Sequence, residues 1–115
     1  MADIKALTKR LTDFRDERDW KQFHNPKDVA LSLVLEATEV MEHFQWKSPS
    51  EIADYVKSNK DEIADELADV LNWVLLMCHD LDIDILAAAE KKITKNEAKY
   101  PVEKAKGRHT KYTKL

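Results

Sequence analysis

What most constrains this chain is its lack of residues that reverse direction tightly. It holds one glycine and three prolines in 115 residues. Hairpin turns draw on glycine at positive φ, so a β-rich fold would have little to turn with. Alanine, leucine, glutamate, lysine and aspartate dominate instead, and they favour an all-α class. The length bounds the chain to one domain, residues 1–115. A few helices in so short a chain leave apolar surface uncovered, so a homo-oligomer, dimer or tetramer, is expected.

The hydrophobic spacing predicts helices over 3–20, 26–44, 60–79 and 83–100, with a short one over 49–57. In the first, Ile4, Leu7, Leu11 and Phe14 share one face. Asn25-Pro26 opens the second, as N-cap and first helical residue. Ser48-Pro49-Ser50-Glu51 is a capping box and opens the short helix. Ser58-Asn59-Lys60 reads as a break, Asp82 as the N-cap of the last long helix, and Pro101 as its stop. The second helix has a wide apolar stripe and is expected to be largely buried. Residues 102–115 form a basic tail that reads as flexible. The expected architecture is a compact bundle of four main helices plus one short helix, with roughly antiparallel neighbours.

Two carboxylate pairs stand out against this frame. Glu36 and Glu39 are three apart on the second helix, and Glu66 and Asp69 are three apart on the third. Each pair therefore points two carboxylates the same way. Glu36 sits between Leu33 and Val40 on an apolar stripe, and Glu66 and Asp69 border another. Four acids beside a hydrophobic core call for a countercharge. A hard divalent cation fits, and Mg²⁺ is usually held by carboxylates together with waters and substrate phosphates. The set contains no Cys or His, which disfavours zinc. Di-iron bundles use Glu-x-x-His, whereas here His43 follows Glu39 by four.

The formal net charge of −3 argues against a nucleic-acid binder. A lone cysteine, Cys78, excludes an internal disulfide, fits a reducing compartment and reads as a small core residue. No apolar run approaches a membrane span, and the N-terminal residues lack the apolar stretch of a signal peptide. A soluble, cytoplasmic protein is expected.

Several motifs surround the acids: Arg18-Asp19-Trp20-x-x-Phe23-His24-x-Pro26; Glu39 with Phe44-Gln45-Trp46-Lys47; Glu66-Leu67-x-Asp69-Val70-Leu71; Lys92-x-x-x-Asn96-x-x-x-Tyr100-Pro101; and Lys111-Tyr112-Thr113. With the two acid pairs, they resemble the all-α nucleoside triphosphate pyrophosphohydrolases of the MazG type, in particular the dCTP pyrophosphatase branch. The resemblance covers almost the whole chain. It implies hydrolysis of a dNTP, dCTP-like by preference, to the monophosphate and pyrophosphate, in nucleotide-pool house-cleaning with Mg²⁺ as cofactor. It implies that Glu36, Glu39, Glu66 and Asp69 are the metal ligands and that Glu39, with Glu36, serves the attacking water. It implies that Trp20, His24, Trp46 and Trp73 line the base site, and that Lys92, Asn96 and Tyr100 contact triphosphate or sugar. Trp73 departs from the branch, where tyrosine stands. The basic tail is implied to fold over a neighbouring subunit.

A reading from another class is open to the same residues. A helical module that senses nucleotide or engages a partner, without hydrolysis, would use the acids structurally or to bind an ion.

Overall fold

A computed structural model describes residues 3–115, and among them every regular element is helical. The backbone gathers into two compact units, one ending at Asp82 and the other comprising Ile83–Leu115.

In the N-terminal unit α1 is Ile4–Glu17, α2 is Pro26–Glu42 and α3 is Pro49–Asp80. The Asp3 side chain caps α1 by accepting from the Ala6 N–H at 2.8 Å. The helix ends where Asp19 adopts φ 55°, and the Trp20 N–H returns to the Arg15 carbonyl at 3.0 Å. After a single 3₁₀ turn, Lys21–Phe23, Asn25 accepts from the Asp28 N–H at 2.9 Å and Pro26 enters α2. Ser48 and Glu51 form the reciprocal capping box of α3, with Pro49 in its first turn. This box satisfies two N–H groups that the helix leaves unpaired, so Ser48→Ala is expected to lower stability by about 1 kcal/mol, measurable by urea titration.

The structure joins two helices that the sequence pattern separates. Residues 58–60 form a kink inside α3, not a break: Asn59 alone leaves helical geometry, at φ −124° and ψ 23°. Its side-chain amide donates to the Tyr55 carbonyl at 3.0 Å, which lets hydrogen bonding continue across the bend.

α3 packs against both α1 and α2. Val29, Leu75 and Leu76 are buried where these helices meet. α2 is not largely buried in the protomer. Val29 is covered, but Leu31, Val34, Leu35 and Met41 are exposed, because α3, its main neighbour, shields one side only.

In the C-terminal unit α4 is Ile85–Lys99 and α5 is Val102–Ala105. The N-cap of α4 is Asp84, which accepts from the Ala87 N–H at 3.1 Å, and not Asp82. Asp82 lies at φ 55°, in the turn that leaves α3, and so has no helix to cap. The tail lies against its own unit. It turns at Gly107, φ 77°, and ends in a 3₁₀ turn, Tyr112–Lys114. There the Tyr112 ring meets Tyr100 edge-on at 5.9 Å, with Lys99 Nζ 4.8 Å from its centroid. Among the described residues no helix is long and apolar enough to cross a membrane.

Candidate active site

The helical register of α2 and α3 sets Glu36 among the other three acids. Glu36 Oε2 is buried and has no hydrogen-bond partner. The Glu36 carboxyl is held above the usual carboxylate range, first by burial, then by the adjacent Glu39 carboxyl, then by the charges of Asp69 and Glu66. Three of the residues that the sequence singled out thus bear on the fourth, Glu36, across two helices.

Glu66 is also engaged from the other side. Its Oε2 accepts from His43 Nε2, and His43 Nδ1 meets the Tyr55 hydroxyl. An imidazole that accepts from Tyr55 and donates to Glu66 satisfies both contacts. His43 enters the sequence argument only as a misplaced di-iron ligand. Its role depends on Tyr55 and Glu66, which approach it only when α2 and α3 pack.

Among the described residues no three His, Cys, Asp or Glu side chains already form a shell that would hold a metal ion. Carboxylates without a cation repel, and one Glu66 oxygen is turned to His43. The donor chemistry nevertheless suits a hard divalent cation. The donors are all carboxylate oxygens, and the unpaired Glu36 Oε2 is a buried acceptor that lacks a positive partner.

Beside the acids lies a cavity of about 420 Å³. Leu7, Leu11 and Phe14 of α1 and Leu76 of α3 give it an apolar wall. Trp20, His24 and Trp73 supply flat rings, and His24 meets Trp73 edge-on at 5.2 Å. Asp69 lines this cavity and also acts on Glu36, so it belongs to both features. Arg10, Arg15 and Asn72 line it as well. By spacing, Arg10 belongs to the charged face of α1, and its place at the cavity emerges only once α1 docks on α3.

Arg15 is 2% exposed. It donates to both Asp80 oxygens, Nη1 to Oδ2 at 2.8 Å and Nη2 to Oδ1 at 2.7 Å. This bidentate bond holds the Asp80 carboxyl below the usual range and raises the guanidinium. The signal in the sequence was faint. Arg15 stands four residues after Leu11, on the apolar side of α1, but nothing local points to a partner 65 residues away.

Trp46 does not line the cavity. It is 92% exposed and adopts φ 69°, in the turn after α2. A tryptophan in the left-handed region is costly by about 1 kcal/mol or more. Lys92, Asn96 and Tyr100 lie in the C-terminal unit. Lys92 and Asn96 are exposed on α4, and Tyr100 ends it, its N–H donating to the Asn96 carbonyl at 2.9 Å.

Comparison with known proteins places this arrangement. The MazG-like family matches residues 31–115. The dCTP pyrophosphatase 1 of Rattus norvegicus is 38% identical over 117 aligned residues, covering all of this chain and 67% of the rat protein. That of Homo sapiens is 36% identical over the same span, again 67% of its length. The crystal structure of a pyrophosphatase from Archaeoglobus fulgidus matches with a TM-score of 0.83 and 37% identity, covering 88% of this chain and 94% of that one. An all-helical fold with acid pairs on α2 and α3, matched over this span and at these identities, makes the chain a member of the MazG-like family.

Proposed function

We propose that the protein is a Mg²⁺-dependent nucleoside triphosphate pyrophosphohydrolase that converts a dNTP, dCTP by preference, to dNMP and pyrophosphate. The observation that carries this reading is the position of Asp69, shared between the acid group and the aromatic cavity. A base held in the cavity would leave its phosphates beside the carboxylates. The relatives named dCTP pyrophosphatase support the reaction class and the choice of base.

Glu36, Glu39, Glu66 and Asp69 would hold the metal. When bound, Mg²⁺ neutralises the triphosphate and polarises the phosphorus under attack. Glu39 is the general base in this reading. It is exposed, so its oxygens can take a proton from an incoming water, while Glu36, half-buried with its Oε2 covered, lies among the other acids. His43 holds one Glu66 oxygen and so orients that carboxylate. Trp20 and Trp73 offer faces on which a base can stack, and His24 offers a polar ring edge. By the family resemblance alone, Lys92, Asn96 and Tyr100 would contact the triphosphate or sugar. Trp46, strained and exposed, is fitted to a contact outside its own protomer or with the base.

Self-association belongs to the same reading. Leu31, Val34, Leu35 and Met41 of α2 and Leu67 and Leu71 of α3 are exposed apolar side chains that a second copy would cover. Sedimentation equilibrium at micromolar concentration should return a dimer or tetramer.

The decisive experiment is a substrate panel. Purified protein, each dNTP and Mg²⁺ should give the monophosphate and pyrophosphate, fastest with dCTP. Orthophosphate release would overturn the reaction class. Tight nucleotide binding with no product would point to a nucleotide-sensing module.

A further inference from the structure

The cavity contains a buried cation that the proposed chemistry does not use. Arg15 is 2% exposed, and its two terminal nitrogens are held by Asp80 at 2.7 and 2.8 Å. Nη1 also faces His24 Nδ1 at 3.5 Å. The Arg15 Nε–H is buried and has no partner, so Asp80 satisfies only part of the guanidinium. It does, however, confront one nitrogen of a ring that lines the cavity.

A guanidinium carries only donors and does not lose its proton in proteins. The ring nitrogen facing it must therefore present its lone pair. A proton on Nδ1 would set donor against donor, beside a fixed positive charge. At 3.5 Å the hydrogen bond is long, yet the sign of the interaction does not depend on its strength. The neutral ring then carries its single proton on Nε2. Among the described residues no protein group hydrogen-bonds Nε2.

We propose that Arg15, anchored by Asp80, is a positioning residue that locks His24 in its Nε2–H tautomer, so that the cavity offers a donor to the lone-pair edge of a pyrimidine. That edge is the ring nitrogen N3 or the carbonyl oxygen. The other tautomer would offer an acceptor and pair with the exocyclic amine instead. The groups facing the ring agree with this. Burial and the Arg15 charge lower the His24 pKa below its ordinary value and Asp80 opposes them, while Trp73 adds an uncharged edge. The half of the proposal that concerns the base rests on the proposed function. The tautomer does not.

Long-range ¹⁵N–¹H correlation of the imidazoles in the full-length protein tests the lock directly. His24, identified by its loss in His24→Gln, should show the Nε2–H pattern at neutral pH. In the charge-neutral double substitution R15M with D80L, it should become a tautomer mixture that titrates nearer the ordinary histidine value. An Nδ1–H pattern in the unmodified protein, or an unchanged pattern in the double variant, overturns the lock. Should the double variant not fold, Asp80→Asn loosens the anchor while keeping Arg15, and the spectrum of the unmodified protein still decides. In turnover, R15M with D80L should raise KM for dCTP about 3–10-fold, the worth of one hydrogen bond, with kcat held within about twofold. An unchanged KM with an altered tautomer overturns the base contact. A locked His24 in a protein that turns over no nucleotide overturns the proposed function and leaves the lock standing.

Discussion

Glu36→Gln is expected to cut turnover by at least about 10²–10³-fold and at the same time to stabilise the metal-free protein. The first effect follows from the role proposed for the acids. Losing a partner that merely orients a metal ligand costs 10–100-fold, so losing a ligand charge costs about that or more. The second follows from the surroundings of Glu36. Its Oε2 is buried without a partner, and burial and three neighbouring carboxylates all resist its ionisation. Gln keeps the shape, removes the charge and brings an N–H₂ donor among carboxylate acceptors. Relief of like charge should contribute about 1 kcal/mol, or a rise of about 3–6 °C in Tm. Differential scanning calorimetry without and with Mg²⁺ gives the check. The unmodified protein should gain Tm with Mg²⁺, and Glu36→Gln should gain much less. Retained turnover would remove Glu36 from the mechanism. A fall in metal-free Tm would contradict the electrostatic account of the cluster.

The second large effect concerns Arg15. Asp80→Ala should destabilise the fold by about 3 kcal/mol, because it strands a buried guanidinium. The lower end of the usual range is appropriate because the Asp80 side chain is 22% exposed. With total stabilities of about 5–15 kcal/mol for such domains, that is a large share. Chemical denaturation should show it as a lowered midpoint with an unchanged slope. R15M with D80L should recover most of the loss, since an apolar pair of similar volume replaces the ion pair without leaving a charge behind. The acid limb of the stability profile carries the same information. Arg15 depresses the Asp80 pKa below its ordinary value of about 3.8. The stabilisation is therefore fully present above that value. It is lost as pH falls toward the depressed folded pKa, where the unfolded chain takes up a proton that the folded one refuses. The double variant should lack this component.

Much of the helix pattern was legible because its signals are local. Asn25-Pro26 and Ser48-Pro49-Ser50-Glu51 cap helices within four residues, and both caps form. The i,i+3 acid pairs were legible because helical periodicity alone aligns each pair. What escaped was non-local or ambiguous. Asn59 carries a break signal, but its own side-chain amide, donating to the Tyr55 carbonyl, carries the hydrogen bonding across the bend. Asp82 and Asp84 are equally good caps on paper, and the choice falls to the residue not needed to turn out of α3. The exposed side of α2 is not legible in the pattern, because a wide stripe does not say how many neighbours cover it. Arg15–Asp80 and His43–Glu66 each join residues far apart in the chain, which periodicity does not pair.

The bend at Asn59 has a bearing on the acids. Tyr55 and Glu66 lie about three turns apart along α3, close to the same face and roughly 16 Å apart on a straight axis. One imidazole, that of His43, touches both, and the bend falls between them. The helix therefore behaves as a jointed arm clamped at a single point on either side of its elbow. A change of angle at the joint would shift the Glu66 carboxylate even with no residue of the acid cluster altered. An added or deleted residue near the elbow would turn one segment by about 100° against the other and pull the clamp apart.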